Sequence, residues 1–313
     1  LKPLVWKLPN PPTRRFSATG SFVSFPSAAA APRGVRATTF SEVVSGFTTA
    51  DLLVDNGTVT GLSTTDNIVY SATLTPDSSV ESATNIISVD NTGVIDAAGN
   101  VGSGSTDSKS YAIDTFRPTA SIVVSDTALI IGETSKVTIT FSEPVTGFTN
   151  ADLTIANGTL SAVSTDDGGK TWTATLTPTS NIEDSSNVIT LDNTGVSDLA
   201  GNAGSGATDS NNYAIDTQRP TATISLDDTA LKIGDTAQVT ITFSEPVTGF
   251  TNGDLTIANG SLSAVSSSDG GTTWTATLTP TSSIEDSTNV ITLDNTGVSD
   301  LAGNAGSGAT DSN

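Results

Sequence analysis

A long internal repeat is the feature that most constrains how this chain can fold. The segment 113–211 recurs as 215–313, at an offset of 102 residues and with sixteen differences over 99 positions. A third, more divergent copy precedes them, since FSEVVSGFTTADL at Phe40 matches FSEPVTGFTNADL at Phe141. A period of this length indicates that one structural unit is repeated along the chain. We therefore predict units at 37–112, 113–214 and 215–313, after a non-repeat segment, 1–36.

The pattern within a repeat is that of β-strands. In KVTITF, Val137, Ile139 and Phe141 alternate with threonines, and TWTATLTP from Thr171 alternates in the same way. Such alternation is typical of half-buried antiparallel strands, and Asn-Gly and other turn signals separate them. The second repeat is predicted to contain about seven strands, at 119–124, 135–141, 152–156, 159–164, 171–177, 187–191 and 208–215. This spacing predicts an all-β chain of tandem immunoglobulin-like (Ig-like) β-sandwich modules.

The first 36 residues share nothing with the repeat and contain six prolines. We expect this basic segment to be disordered. The first module, 37–112, is then truncated, because the counterparts of strand 119–124 and of much of strand 135–141 are missing. An alternative is that 16–25, which partly alternates, replaces a missing strand. Because the chain lacks a starting methionine and stops inside a repeat, we also expect it to be a fragment of a longer protein.

Composition excludes most chemistry. The chain has no cysteine, histidine or methionine, which excludes disulfides, imidazole catalysis and His/Cys metal sites. The sequence does not place a nucleophile, a base and a group to orient the base where they could form a catalytic site. We therefore predict that the chain is not an enzyme. The net charge of −21 repels phosphate backbones and anionic headgroups, and no apolar run is long enough to span a bilayer. Nucleic acid and direct membrane insertion are therefore not expected, whereas divalent cations are the natural counter-charge.

Several carboxylates are predicted to converge at one pole of each sandwich. If the chain enters there, the connections after the second, fourth and sixth strands return to the same pole. These connections and the entering linker hold the candidate ligands Asp114, Glu143, Asp192 and Asp198 in the second repeat, and Asp216, Glu245, Asp294 and Asp300 in the third. Oxygen ligands gathered in this way suit Ca²⁺, and crowded like charges are costly unless neutralised. The alternative is that each Asp serves only the turn chemistry of its loop.

Other polar and aromatic residues have simpler interpretations. The first module keeps Glu42, Asp90 and Asp96 but has no linker aspartate. The adjacent Glu183 and Asp184 lie at the opposite pole, either as a solvated loop or as a contribution to the next junction. Trp172 and Trp274 have inward parity, so they are predicted to be core residues rather than exposed platforms for sugars.

Three motifs carry a family resemblance: FSEPVTGFTNADLTIANGTL, DNTGVSDLAGN and the linker AIDTxRP. With them, the chain resembles bacterial Ig-like repeats of the large repetitive adhesins exported by type I secretion. The resemblance implies a secreted or cell-surface location and a role in holding distal binding domains away from the cell. It also implies calcium at module junctions. Neighbouring modules would then be the direct partners, and host or matrix ligands would be reached through domains outside this sequence.

Two classes of function fit this pattern. A structural spacer gains length from every copy, so near-identical repeats favour it. A repeated, weak carbohydrate- or protein-binding module would instead gain from multivalency, and it would need an exposed aromatic or apolar patch. We predict the spacer, stiffened by calcium at the junctions.

Overall fold

The computed structural model describes residues 18–19 and 34–313, which form strands, 3₁₀ turns and loops without an α-helix in this part of the chain. The first repeat contains β1 (Ala18–Thr19), β2 (Gly34–Phe40), β3 (Val44–Ser45), β4 (Leu52–Val54), β5 (Gly57–Thr64), β6 (Val69–Pro76), β7 (Glu81–Asn85), β8 (Ile87–Asp90), β9 (Ile95–Asp96), β10 (Ser105–Asp107) and β11 (Tyr111–Asp114).

The second repeat contains β12 (Ala120–Val124), β13 (Ala128–Leu129), β14 (Ser135–Phe141), β15 (Val145–Thr146), β16 (Leu153–Ile155), β17 (Gly158–Leu160), β18 (Thr171–Pro178), β19 (Glu183–Asn187), β20 (Ile189–Asp192), β21 (Ser197–Asp198), β22 (Ala207–Asp209) and β23 (Tyr213–Asp216). The third contains β24 (Ala222–Leu226), β25 (Ala237–Phe243), β26 (Val247–Thr248), β27 (Leu255–Ile257), β28 (Gly260–Leu262), β29 (Ser266–Ser267), β30 (Thr273–Pro280), β31 (Ile291–Asp294), β32 (Ser299–Asp300) and β33 (Ala309–Asp311). The 3₁₀ turns are Thr49–Asp51, Asn91–Gly93, Asn150–Asp152, Asn193–Gly195, Asn252–Asp254 and Asn295–Gly297.

The same sheet order recurs in each repeat. One sheet runs β1-β2-β6-β5, β12-β14-β18-β17 and β24-β25-β30-β28 in the three repeats. The facing strands are β10-β8-β4, β16-β20-β22 and β27-β31-β33. The pairing of β13 with β23 is parallel, whereas the other pairings described are antiparallel. The prediction of an all-β chain of tandem Ig-like sandwiches is therefore confirmed.

The described residues form two compact units. One holds the described residues up to Thr119 together with 141–148 and 193–206, and the other holds 120–140, 149–192 and 207–313. The linker into the second repeat thus shares a unit with the two loops of that repeat that carry predicted ligands. The linker into the third repeat likewise shares a unit with the loops of the third repeat.

The alternating pattern creates the core, as the third repeat illustrates. Val239, Ile241 and Phe243 of β25 are buried, whereas the residues between them are more exposed. They belong to one apolar cluster with Ile291 and Leu293 of the facing sheet. Because successive side chains in a strand point to opposite faces, one face of β25 supplies core and the other meets solvent.

The tryptophans lie at the edge of the core. Trp274 is half-buried, and its ring packs edge-on against Phe250 with 5.2 Å between the centroids. Its Nε1 donates a hydrogen bond to the Gly271 carbonyl, and Trp172 repeats this bond to Gly169, both at 2.9 Å. The core prediction thus holds for the packing of Trp274, although neither indole is fully buried.

Three asparagines of the chain begin Asn-x-Ser/Thr sequences, the motif for N-glycosylation, and all three lie in Asn-Gly turns. Asn56, Asn157 and Asn259 have φ angles of 55°, 54° and 54°, in the left-handed region that asparagine tolerates better than most residues. Each asparagine precedes the first glycine of a strand. Turn geometry therefore accounts for these residues.

The predicted strands of the second repeat are present, with two differences. The predicted strand 208–215 is two strands, β22 and β23, and 159–164 ends at Leu160. Four short strands were not predicted: β13, β15, β19 and β21. These are held by pairing with distant strands, and β19 is entirely polar, so no local alternation could indicate them.

The prediction that 1–36 lies outside the sandwich is wrong for Ala18–Thr19 and for the start of β2. The β2 strand runs from Gly34 to Phe40 and pairs with β6 as β14 pairs with β18. Its outer edge pairs with Ala18–Thr19, which fits the alternative that 16–25 supplies a missing strand. Main-chain hydrogen bonds need no sequence identity, which is why this pairing was missed. The rest of that prediction lies outside the described residues.

Candidate metal centres

A buried aspartate is fixed by an asparagine four residues later. The Asp198 side chain accepts hydrogen bonds from Asn202, through Oδ1 from the backbone N and through Oδ2 from Nδ2, both at 2.8 Å. Asp300 and Asn304 repeat these two bonds at the same distances. Both aspartates are buried, so these loops hold an oriented carboxylate inside the protein.

Glu143 brings a buried oxygen without a partner. The residue follows β14, where Ser142 and Thr119 exchange hydrogen bonds and fix the start of the loop. The Oε1 atom of Glu143 is buried and lacks a hydrogen-bond partner within the described part of the chain. Burial raises the pKa of the Glu143 carboxyl, and the negative charges of Asp198, Asp114 and Glu81 raise it further. A buried, unpaired acceptor is costly, which makes this oxygen a candidate ligand for a further group.

The first junction group consists of Asp114, Glu143 and Asp198. One carboxylate oxygen from each lies within 4.8 Å of the others. Asp114 ends β11, where it stands opposite Glu81 of β7. Burial raises the pKa of Asp114, against a hydrogen bond from the Phe116 amide that lowers it. The linker and two loops therefore meet at one acidic point.

The second junction group repeats this arrangement with Asp216, Glu245 and Asp300, again within 4.8 Å. Asp216 ends β23 and stands opposite Glu183 of β19. Burial raises the pKa of Glu245 to about 7, and the negative charges of Asp300, Asp216 and Glu183 contribute to this increase. The ionised form of this carboxyl is therefore less favoured here than in solution.

No side-chain cation neutralises these groups among the described residues. The ion pair found in this part of the chain joins Lys232 and Asp235, at 3.7 Å, away from both groups. The linker arginines Arg117 and Arg219 donate instead to the carbonyls of Ala203 and Ala305. Three carboxylates fit a hard cation such as Ca²⁺, which takes six to eight oxygens, and in the first group Glu143 adds a buried oxygen without a hydrogen-bond partner among the described residues.

The structure brings together six of the eight predicted ligands. Asp192 and Asp294 lie outside both groups. The Oδ1 of Asp294 accepts hydrogen bonds from Thr296, from N at 2.9 Å and from Oγ1 at 2.7 Å, and so caps the 3₁₀ turn. Asp192 occupies the same position at the end of β20. Turn chemistry therefore explains Asp294, as the alternative interpretation had it.

The loop of the first repeat that corresponds to 198–202 also holds an oriented aspartate. Among the described residues, however, this aspartate does not belong to a cluster of three carboxylates. Asp96 accepts hydrogen bonds from Asn100 N and Nδ2, at 2.8 and 2.7 Å, as Asp198 does from Asn202. Glu42 and Asp90 are exposed and form no group with it. This fits the lack of a linker aspartate before the first module.

The glutamate opposite each linker aspartate was not predicted as a distinct contributor. The sequence interpretation treated Glu183 and Asp184 as one pair, but the structure separates them. Glu183 faces Asp216, whereas Asp184 accepts a hydrogen bond from Asn157 Nδ2 at 2.9 Å. Glu81 precedes Glu183 by one repeat length and faces Asp114 in the same way. This periodic recurrence is the signal that could have found it.

Each linker is tied to the repeat before it and the repeat after it. Thr217 donates from N to the Ile182 carbonyl and from Oγ1 to the Thr179 carbonyl, both at 2.7 Å. Thr221 and Ser244 then exchange hydrogen bonds in the third repeat. Only 218–220 remains between these anchors, and Pro220 restricts the residue before it. The linker therefore has only three residues between its two hydrogen-bonded ends.

The fold and the junctions define a tandem array of β-sandwich modules with a cluster of carboxylates at the second and third modules' entering junctions. The family described as "Bacterial Ig-like domain" matches residues 34–113, 114–215 and 216–313. The chain therefore belongs to the bacterial Ig-like domain family. Such domains are generally non-catalytic structural modules and are typically extracellular or exposed at the surface. No helix in the described residues is long and apolar enough to cross a membrane.

Other comparisons add little. No curated protein matches the chain. Among solved structures, it is similar to the plexin A4 full extracellular region, with 8% sequence identity and a TM-score of 0.24. The match covers 91% of this chain and spans only 33% of that one.

Proposed function

We propose that this chain is a spacer segment of a bacterial cell-surface or secreted adhesin, in which calcium at the repeat junctions limits hinge motion. The near-identical second and third repeats support a role in which each copy adds length. Family membership supports a structural, extracellular module. Adhesion itself would be carried by other domains.

The observation that carries the proposal is the recurrence of the unneutralised carboxylate group at two successive junctions. Each group joins a linker aspartate, Asp114 or Asp216, to two loops of the following repeat. A cation held there would supply the positive charge that relieves carboxylate repulsion, and would bind linker and loops together. Because the linker aspartate ends a strand of the preceding repeat, this also restrains one repeat against the next.

The magnitudes agree with an extracellular setting. Extracellular calcium modules have dissociation constants of about 10⁻⁴ to 10⁻³ M. At ten times such a constant, binding stabilises the folded state by about 1.4 kcal/mol per site. Two sites would therefore shift thermal unfolding measurably without being required for the fold.

The two tryptophans of the described residues do not provide the exposed aromatic surface that a binding module would need. The indole N–H groups of Trp172 and Trp274 are engaged with backbone carbonyls, and both rings are half-buried. They do not form an exposed aromatic platform. The aromatic residues therefore favour the spacer.

The test is a calorimetric calcium titration and thermal melting of the full chain. Wild type should bind about two ions and melt at higher temperature in calcium than in chelator. Asp216→Ala should lose one site and part of the shift. Asp166→Ser is the matched control, because Asp166 is exposed and the third repeat has Ser268 there. The proposal is wrong if wild type gives no binding heat and identical melting curves.

A further inference from the structure

A turn of the second repeat touches the third repeat directly. The backbone N of Ile131 donates a hydrogen bond of 2.9 Å to Oδ1 of Asn304, 173 residues away. Beside it, Cδ1 of Ile130 lies next to Gly303, 3.9 Å from the point that a Cβ on this glycine would occupy. The turn of residues 130–133 thus makes a hydrogen bond to the 300–305 loop, and Ile130 lies beside that loop.

This turn is formed by its own residues. Glu133 closes it twice, with N donating to the Ile130 carbonyl at 3.2 Å and Oε2 accepting from Ile130 N at 3.0 Å. Gly132 has a φ of +86°, which other residues rarely adopt. Local hydrogen bonds and glycine therefore fix its shape before any contact is made.

The third repeat has the same turn without that contact. Asp235 closes it through hydrogen bonds with Lys232, at 3.1 and 3.3 Å. Its apex residue, Ile233, is 95% exposed, whereas the equivalent Ile131 is half-buried. Since the turn keeps its shape when uncovered, docking orders little and costs little entropy.

Asn304 connects this contact to the acidic group. The residue is 2% exposed, and its Nδ2 donates to the Asp216 carbonyl at 3.0 Å and to Asp300 Oδ2 at 2.8 Å. Its Oδ1 accepts from Ile131. One side-chain amide thus joins the turn of the second repeat, the linker and the loop of the third repeat, and two of its partners belong to the candidate cation site.

We propose that the 130–133 turn is a docking surface for the next repeat, and that Asn304 is the positioning residue that couples this contact to the acidic group. The docking stands without the metal, and only its coupling to calcium rests on the proposed function. Part of the restraint at this junction is therefore independent of calcium. Occupying the site fixes Asp216 and Asp300, and so strengthens the hydrogen bond from Ile131.

The chain contains its own reference for a test. The amides of Ile131 and Ile233 stand at equivalent positions of equivalent turns, each followed by glycine. Amide exchange by NMR on the full chain, in chelator and in calcium, compares them directly. In chelator, Ile131 should exchange about tenfold more slowly than Ile233, or slower still. Calcium should slow Ile131 further and leave Ile233 unchanged.

Two variants separate the parts of the proposal. Asn304→Ala should remove the protection of Ile131. Ile130→Lys places the third repeat's own residue in the turn, and should weaken the protection while the turn and the Asp300 loop stay folded. Equal exchange of Ile131 and Ile233 in both conditions overturns the docking. If Ile131 exchanges slowly in chelator but calcium does not slow it further, the docking stands and the coupling to the acidic group is wrong. Whether calcium binds at all is tested separately, by the calorimetric titration.

Discussion

The second and third repeats share nearly the same residues over one stretch, yet fold them differently. Residues 182–188 of the second repeat include β19, and Asn187 there is 1% exposed. The corresponding stretch 284–290 of the third repeat is exposed throughout and forms no strand, and Ile284 is 50% exposed. The difference is the linker strand β23, which pairs with β19 in the second repeat; the sequence stops at Asn313, before any residues that would correspond to β23.

What both stretches keep is their local hydrogen bonding. Asn157 Nδ2 donates to Asp184 Oδ2 and to Asn187 Oδ1, both at 2.9 Å. Asn259 donates in the same way to Asp286 and Asn289, at 3.0 and 2.8 Å. The turn chemistry is thus encoded within the repeat, whereas burial and strand structure come from the linker that follows. A junction therefore completes the repeat before it as well as joining the next one.

Substitutions in the cores of the second and third repeats should have similar effects on stability. The structural difference between these repeats would then be limited to the stretch that pairs with β23. Leu191 and Leu293 are both fully buried at equivalent positions. Leu191→Ala and Leu293→Ala should each lower the free energy of unfolding of their own repeat by about 2–5 kcal/mol, because each leaves a cavity. Native-state hydrogen exchange resolves the two repeats. Costs that differ by more than about 2 kcal/mol would show that the cores differ too.

A buried asparagine should separate the two stretches. Asn187 Nδ2 donates to the carbonyls of Asp184 and Tyr213, at 3.0 and 3.1 Å. Asn187→Ala leaves the buried Tyr213 carbonyl without this donor and should cost the second repeat about 1–3 kcal/mol. Asn289→Ala removes exposed bonds and should cost about 0.5 kcal/mol. Equal losses in chemical denaturation would contradict the role given to β23.

The aspartate outside the acidic group should act only within its repeat. Asp294→Ala removes a cap, so the third repeat should lose about 1 kcal/mol of stability. The increase in melting temperature caused by calcium should stay at the wild-type value, since Asp294 lies outside the group. Asp300→Asn is the contrasting variant and should reduce that increase. If Asp294→Ala loses the increase in melting temperature caused by calcium, Asp294 is a calcium ligand and this assignment is wrong.

The smallest effect is a pH dependence that belongs to the junction. Glu245 has a folded pKa of about 7, above its ordinary value of 4.5. Its protonated form is favoured by folding, so this contribution is complete below about pH 4.5 and is lost as pH rises through about 7. In chelator, Tm should therefore be higher at pH about 6 than at pH about 8, by about 2 °C. Glu245→Gln should remove that difference, and an unchanged pH dependence in this variant would contradict the assignment.

The sequence predicted those parts of the molecule that depend on local pattern. Strands such as β14 and β25 alternate apolar and polar residues, so the sequence predicts both the strand and the face that packs into the core. The polar strand β19 could not, because only pairing with β23 makes it a strand. The start of β2 was missed for the same reason, since its sequence differs from that of β14.

The candidate site was predicted in part for a similar reason. Loop connectivity placed Asp216, Glu245 and Asp300 at one pole, which is where they meet. It could not distinguish Asp294 from Asp300, because both are aspartates in turns six residues apart. The three-dimensional structure distinguishes them: Asp294 is exposed and caps a 3₁₀ turn, whereas Asp300 is buried and accepts hydrogen bonds from Asn304.

The most direct test of the account measures the distance between two repeats. Because the chain has no cysteine, Thr177→Cys and Thr279→Cys place spin labels at equivalent exposed positions of β18 and β30. Pulsed dipolar spectroscopy on the full chain then gives the distance distribution between repeats. We predict a narrow distribution in calcium, a broader one in chelator, and no calcium effect when Asp216→Ala is added. Distributions of equal width with and without calcium in the otherwise wild-type chain would contradict the claim that the acidic junctions stiffen the array.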